Sequence, residues 1–196
     1  MIFRRLALCL PLALALAACS SAPPPSRFPD ISFKGEPPIL LDVARVELVS
    51  TFQPSFAAPE VEQNFPIPPQ RALENLCKDR LQAISPASQR VARFTIVDAK
   101  VIEAELPRKE GFKADFTTQQ AQRYDGQVEI RLDIYDENGI VVRTATARAT
   151  RSRTVAEDIT PNDRDRVWYE MSDELAHSAD QVLEQYIDAS FFPYKR

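Results

Sequence analysis

Two alternating segments joined by a four-residue turn constrain this chain more than any other feature in it. From Tyr124 to Tyr135, Val128, Ile130, Leu132 and Ile134 point one way, and Glu129, Arg131 and Asp133 the other. That period of two describes a strand with one buried face. Asp136-Glu137-Asn138-Gly139 supplies a hairpin turn, because Asn-Gly accepts the positive φ angles a tight turn needs. The return strand runs from Ile140 to about Val155. Its Ala145, Ala147 and Ala149 leave room for close packing on one face, while Thr144, Thr146, Arg148 and Thr150 line the other. A hairpin of this length must bury its apolar side under another layer.

The rest of the chain provides that layer. Thr160-Pro161-Asn162-Asp163 reads as a helix start, with a capping threonine, proline at the first position and an acid at the third. Val167, Trp168, Met171, Leu175, Val182, Leu183 and Tyr186 then keep helical spacing to about Ala189. An earlier helix begins at Pro69 and carries Leu73, Leu76, Cys77, Leu81 and Ile84 on one stripe. Ser85-Pro86 is expected to end it, since the residue before a proline avoids helical angles. Val91 to Leu106 reads as a strand that changes phase near Asp98, the sign of a bulge. Ile39 to Val49 is a further strand. Between it and the first helix lies a long connection, Ser50 to Pro68, whose phenylalanines are expected to fold back over one end of the core, with a partner-binding loop as the alternative. The expected fold is α+β: a two-layer sandwich of order β-α-β-β-β-α, with a mostly antiparallel four-stranded sheet and two helices on one face.

The first nineteen residues say something different. Arg4 and Arg5 precede an apolar run from Leu6 to Ala18, too short to span a bilayer, which takes about 20 residues. A basic start, a brief apolar core and small residues describe a secretory signal. Leu16, Ala17 and Ala18 followed by Cys19 resemble the lipobox of bacterial lipoproteins, in which the cysteine thiol is acylated and the chain is cut before it. The resemblance implies a membrane anchor of acyl chains on Cys19, and by the same resemblance Ser20-Ser21 after it implies the outer membrane, with the inner membrane as the alternative and the domain facing the periplasm. The chain is therefore expected to divide into a signal peptide at 1–18, a proline-rich tether at 19–38 and one α+β domain at 39–196. Eleven of the sixteen prolines lie between Pro23 and Pro69, and proline-rich stretches act as semi-rigid spacers. After loss of the signal, 22 basic residues face 28 acidic ones, which gives no electrostatic reason to expect nucleic acid. Cys77 would be the one free cysteine left, and it is expected as a small buried apolar residue.

Catalytic patterns are missing. The sole histidine, His177, falls opposite Leu175 and Val182 on the helical wheel and is expected on the solvent side. With one histidine, no CxxC and no HExxH, no metal site or cofactor is expected. Four glycines leave no phosphate-cradling loop. Scattered carboxylates keep one alternative open, a periplasmic enzyme or small-ligand binder working through acids. Arg148, Arg151 and Arg153, with Lys109 and Lys113, are candidates for a basic rim able to meet phosphate-bearing lipid or an acidic partner. Arg143, Arg151 and Arg153 share the alanines' strand parity; Arg148 does not.

The order of elements, the lipobox and the long C-terminal helix together resemble the LPS-assembly lipoprotein family, which plugs the outer-membrane lipopolysaccharide translocon. Tyr124 through Tyr186 carry most of that likeness: an aromatic-led strand, a turn, an arginine-ended strand and an acidic helix. That family runs from its cysteine almost directly into Gly-Phe and a first strand, whereas here a proline-rich stretch follows Cys19. A second resemblance is to the auxiliary lipoproteins of envelope ABC lipid transporters. Both imply a non-catalytic accessory in outer-membrane assembly or in envelope transport of lipid or lipopolysaccharide, with an outer-membrane β-barrel or an ABC transporter component as partner.

Overall fold

The computed structural model describes residues 27–107, 120–192 and 194–195. Eight regular elements appear in the order β1 (Ile39–Leu41), β2 (Arg45–Ser50), α1 (Pro69–Arg80), β3 (Leu81–Ala83), β4 (Val91–Glu105), β5 (Gln120–Tyr135), β6 (Val141–Ala156) and α2 (Pro161–Ser190), with a single 3-10 turn at Glu62–Asn64. The main sheet has the order β2-β4-β5-β6. Its β4–β5 and β5–β6 pairs are antiparallel, and β2 joins β4 in parallel. The fold is the expected α+β arrangement of two helices on a mixed, mostly antiparallel four-stranded sheet.

The hairpin behaves as its alternation requires. Val128, Ile130 and Leu132 stand opposite Ala149, Ala147 and Ala145, and all six are buried. Large side chains on β5 and small ones on β6 leave a step into which α2 settles. The fit is closest at Gly126, where an added Cβ would lie 2.6 Å from Met171 Cε and 2.8 Å from Leu175 Cδ1. Gly139, with φ of 74°, makes the turn, and Asp136 Oδ1 accepts from the backbone N–H groups of Asn138 and Ile140. Thr160 caps α2 by accepting from the Asp163 N–H, and Pro161 opens the first turn. At 30 residues, α2 is a rod of about 45 Å.

The phase change in β4 is a bulge between Ile96 and Asp98. It falls where β4 changes its outer partner. Up to Ile96 that partner is β2, ending at Ser50. Beyond the bulge the connection takes over: Val61 N–H donates to Val101 O (3.0 Å), Glu62 Oε2 accepts from Val101 N–H (3.1 Å), and Glu103 N–H donates to Pro59 O (2.9 Å). The long connection thus covers an edge that would otherwise expose unpaired backbone. Phe65 is buried and Phe52 packs against the core, as expected, but Phe56 is 74% exposed.

Three expectations are corrected. Ile39 to Val49 is not one strand: the chain turns at 42–44, where Asp42 N–H donates to Tyr194 O (2.8 Å) and the Arg90 guanidinium bonds the Asp42 carboxylate (3.1 Å). The first half, β1, pairs in parallel with β3 instead of extending the main sheet. For the same reason α1 stops at Arg80, five residues before Ser85, because Leu81–Ala83 are drawn into pairing with β1. A non-local ladder has overridden a local helical stripe. Ile84, assigned to that stripe, is exposed.

The third correction concerns the tether. Residues 30–38, expected in a free spacer, lie on the domain. Ile31 and Phe33 are buried; Phe33 N–H and Ser32 Oγ both donate to Asp79 (3.0 Å each), Asn75 Nδ2 donates to Ile31 O (2.8 Å), and Arg71 pairs with Asp30 (2.8 Å). Burying an aromatic and an isoleucine contributes about 3–5 kcal/mol together, enough to hold a short segment. His177 keeps its solvent side, with its side chain 38% exposed; one flank of the ring rests on Phe33, centroid to centroid 4.5 Å, and its Nδ1 lies 3.0 Å from Asp173 O and 3.3 Å from the Asp173 carboxylate.

Candidate functional site

Cys19, Leu16, Ala17, Ala18, Lys109 and Lys113 lie outside the described residues, so the structure informs the arginines and the surfaces around them. Arg151 and Arg153 sit on the inner parity of β6 beyond Ala149, where the strand passes the flank of α2. Both reach Glu174: Arg151 Nε at 3.3 Å, and Arg153 through a short pair to both carboxylate oxygens. Arg151 also donates to Ser178 Oγ. Arg143, at the other end of the same strand, donates to Ser190 O (3.2 Å), a terminal carbonyl of α2 where a cation suits the helix dipole. Three arginines of one strand therefore clasp one helix. Arg148 faces the other way and pairs with Glu129 directly across the ladder at 2.8 Å. The four do not form a continuous rim. Arg151 and Arg153 share one carboxylate and so keep one net positive charge between them.

The bare face of the sheet continues the Arg148 pattern. Glu47 takes Arg45 (2.8 Å) and Arg93 (3.1 Å), Asp133 takes Arg131 (2.8 Å) and the Thr144 hydroxyl (2.6 Å), and Asp125 takes Arg123 (2.8 Å) and the Ser152 hydroxyl (2.8 Å). Hydrogen bonds from Arg45 and Arg93 hold the Glu47 carboxyl below its ordinary range; the Arg148 bond does the same for Glu129 and the Ser152 bond for Asp125. The result is a flat lattice of paired charges.

A network that nothing in the sequence announces lies between the helices. Arg80, 1% exposed, donates from Nε to both Asp180 oxygens (2.9 and 3.0 Å) and from Nη2 to Glu184 (2.9 Å). Burial pushes the Asp180 carboxyl above its ordinary value, with Arg80 pulling in the other direction. One hundred residues separate the partners, so no local spacing could have revealed them. Cys77 is buried as expected, and that burial pushes its thiol up to about 12. It is a packing residue, not a nucleophile.

At the far end of β4 and β5, Tyr124 and Phe65 meet Trp168 edge to face, with centroids 5.7 and 5.1 Å away. Burial, then the charge of Glu103, pushes the Tyr124 hydroxyl up to about 12. Beside them is a cleft of about 210 Å³ lined by Glu105, Leu106, Ala121, Gln122, Glu157 and Arg164. Among the described residues no group of three or more His, Cys, Asp or Glu could hold a metal ion, and no helix is long and apolar enough to cross a membrane.

No family model matches the chain, and no curated protein matches it. Among solved structures, a minor lipoprotein from Acinetobacter baumannii is similar at 11% identity and TM-score 0.38, over 74% of this chain and 93% of that one. A candidate lipoprotein from Caulobacter crescentus is similar at 11% identity and TM-score 0.36, over 75% and 89%. A Xanthomonas campestris protein of the DUF330 family is similar at 8% identity and TM-score 0.32, over 82% and 92%. Likenesses this distant carry no functional argument, and the reading of this chain rests on its own residues.

Proposed function

We propose that this protein is a non-catalytic lipoprotein, held by acyl chains on Cys19 at the periplasmic side of the outer membrane, that serves as an accessory in outer-membrane assembly or in envelope transport of lipid or lipopolysaccharide. The observation that carries this reading is the Leu16-Ala17-Ala18-Cys19 tetrapeptide behind a basic and apolar leader. The domain agrees with it. The core is filled by side chains, the bare sheet face is a lattice of paired charges, and the one histidine, half-buried, has one flank against Phe33 and its Nδ1 beside its own helix backbone. Such a body offers surfaces for docking. Two or more acyl chains would hold it firmly, each buried methylene adding about 0.8 kcal/mol. Labelled palmitate is expected in the wild-type chain and not in Cys19→Ala; equal labelling of both would overturn the anchor. Affinity purification of the lipidated protein from membranes is expected to recover a β-barrel or an ABC transporter component, and recovery of neither would overturn the accessory role.

A second reading, a periplasmic enzyme or small-ligand binder using carboxylates, has one observation in its favour: the cleft where Glu105 and Glu157 share a wall with Arg164. At about 210 Å³ it falls short of the roughly 300–1,000 Å³ typical of small-molecule sites. Glu105→Gln with Glu157→Gln tests it, since a carboxylate-based activity in the purified protein would be abolished and docking would not.

A further inference from the structure

Residues 48–59 run Leu-Val-Ser-Thr-Phe-Gln-Pro-Ser-Phe-Ala-Ala-Pro, twelve in succession without a charge in a chain that is 27% charged. They form the end of the edge strand β2 and the connection after it. Leu48, Val49, Phe56, Ala57, Ala58 and Pro59 are all exposed. Phe52 turns inward, but Phe56 does not. Its φ of 55° places it in the left-handed region that bulky residues avoid, and Ser55 fastens the turn by bonding both the N–H (3.3 Å) and the carbonyl (3.1 Å) of Ala57. A strained backbone that presents a phenylalanine to the outside is a feature to explain by what it meets.

The route of the N-terminal segment identifies what it meets. Gln70 and Arg71 are neighbours in the first turn of α1. Gln70 reaches back to Ser50 at the root of the loop (3.4 Å), and Arg71 holds Asp30 (2.8 Å). Two residues before Asp30, Phe28 stacks on Tyr169 of α2 at 4.8 Å. One helical turn thus joins the root of the uncharged loop to the start of the described N-terminal segment. Cys19 precedes Phe28 by nine residues, which span at most about 30–32 Å when fully extended. A second exposed phenylalanine, Phe192, follows the far end of α2, which lies 21 residues and about 32 Å along the rod from Tyr169. A nine-residue link that starts beside Tyr169 would reach the Phe192 end only if drawn out straight, so an anchor at Cys19 favours contact with lipid at the loop's end of the molecule.

We propose that the loop Thr51–Pro59 docks on the lipid surface that holds Cys19, with Phe56 entering the interfacial layer. An aromatic at the boundary between acyl chains and headgroups keeps its apolar body out of water, and the lack of charge in the loop removes the desolvation penalty that would oppose insertion. This rests on the anchored-lipoprotein reading above and adds to it the orientation of the domain.

The test uses the full chain, made with its leader in a bacterium that acylates lipoproteins, purified from membranes, weighed by intact mass and reconstituted in phosphatidylethanolamine–phosphatidylglycerol vesicles. An environment-sensitive fluorophore is placed at Phe56→Cys, and in a second protein at Phe192→Cys; Cys77 is buried and does not compete for label. Doxyl-labelled lipid is expected to quench the probe at position 56 by about twofold or more and to leave the probe at 192 unchanged. With Cys19 acylated, no quenching at 56, or equal quenching at both positions, overturns the docking and leaves the anchor standing. A probe at 56 that is shielded in native membranes but not in pure lipid assigns the loop to a protein partner and likewise overturns it. A mass without acyl groups overturns the anchor first and this proposal with it.

Discussion

On the inner face of the sheet, β5 and β6 place Val128, Ile130 and Leu132 against three alanines and hand the remaining space to α2; one residue along on the same strands, the outer face sets Glu129 against Arg148 and Asp133 against Thr144. Both faces are complete, but by different means. The inner face is filled by shape, so each side chain depends on the volume of its neighbours. The outer face is filled by charge pairs whose arginines reach water, with Asp133 buried beneath Arg131 and Thr144, and the exposed pairs can each be lost with little effect on the next. The same chemistry also takes different values by depth. Arg80 with Asp180 and Arg148 with Glu129 are both arginine–carboxylate pairs, yet the arginine side chain is 1% exposed in one and 71% in the other.

Breaking the deeper pair gives the largest expected effect. Arg80→Ala leaves Asp180 buried without its partner and should lower stability by about 3–5 kcal/mol, read as a shift in the urea midpoint. Replacing both together, Arg80→Met with Asp180→Leu, should recover most of that loss, since the penalty lies in the stranded charge. Next is Gly126→Ala, whose new Cβ would press on Met171 Cε and Leu175 Cδ1 and should destabilise by about 1–3 kcal/mol. A midpoint equal to wild type would show that α2 can lift from the sheet without loss, contrary to the packing described. Smallest is Arg148→Ala, which should leave the urea midpoint within measuring error. The outer face should nevertheless show in acid. Glu47, Asp125 and Glu129 have folded values held below their ordinary 4.5, 3.8 and 4.5, so their contribution is fully present above about pH 5 and is lost as pH falls through the lowered folded values. Glu129→Gln should make the loss of stability below pH 4.5 shallower, and an unchanged acid slope would show that Glu129 contributes nothing to it.

Features written in neighbouring residues were legible from sequence. The Asn138-Gly139 turn, the bulge near Asp98, the Thr160 cap and the alanine face of β6 each depend on a few adjacent positions, and each appears in the structure. What was misread depends on distant ones. The end of α1 at Arg80 is set by a parallel ladder to residues 39–41, the docking of Ile31 and Phe33 by a hollow between two helices, and the partners of Arg151 and Arg153 by the register of β6 against α2. Of the candidate site, Cys19 is legible in its tetrapeptide, whereas the loop end that would face lipid emerges only once α1 brings Ser50 and Asp30 to adjacent residues.

The packed segment from Asp30 to Pro38 has a mechanical consequence for a chain moored at Cys19. While it lies on α1 and His177, nine residues separate Cys19 from Phe28; were it to peel away, that link would gain up to about 30 Å of contour. Peeling exposes Ile31 and Phe33, so at about 3–5 kcal/mol fewer than about one molecule in a hundred is let out at rest. In a domain so moored, a pull would meet these two side chains before it met the sheet, and their return to the core would draw the chain in again.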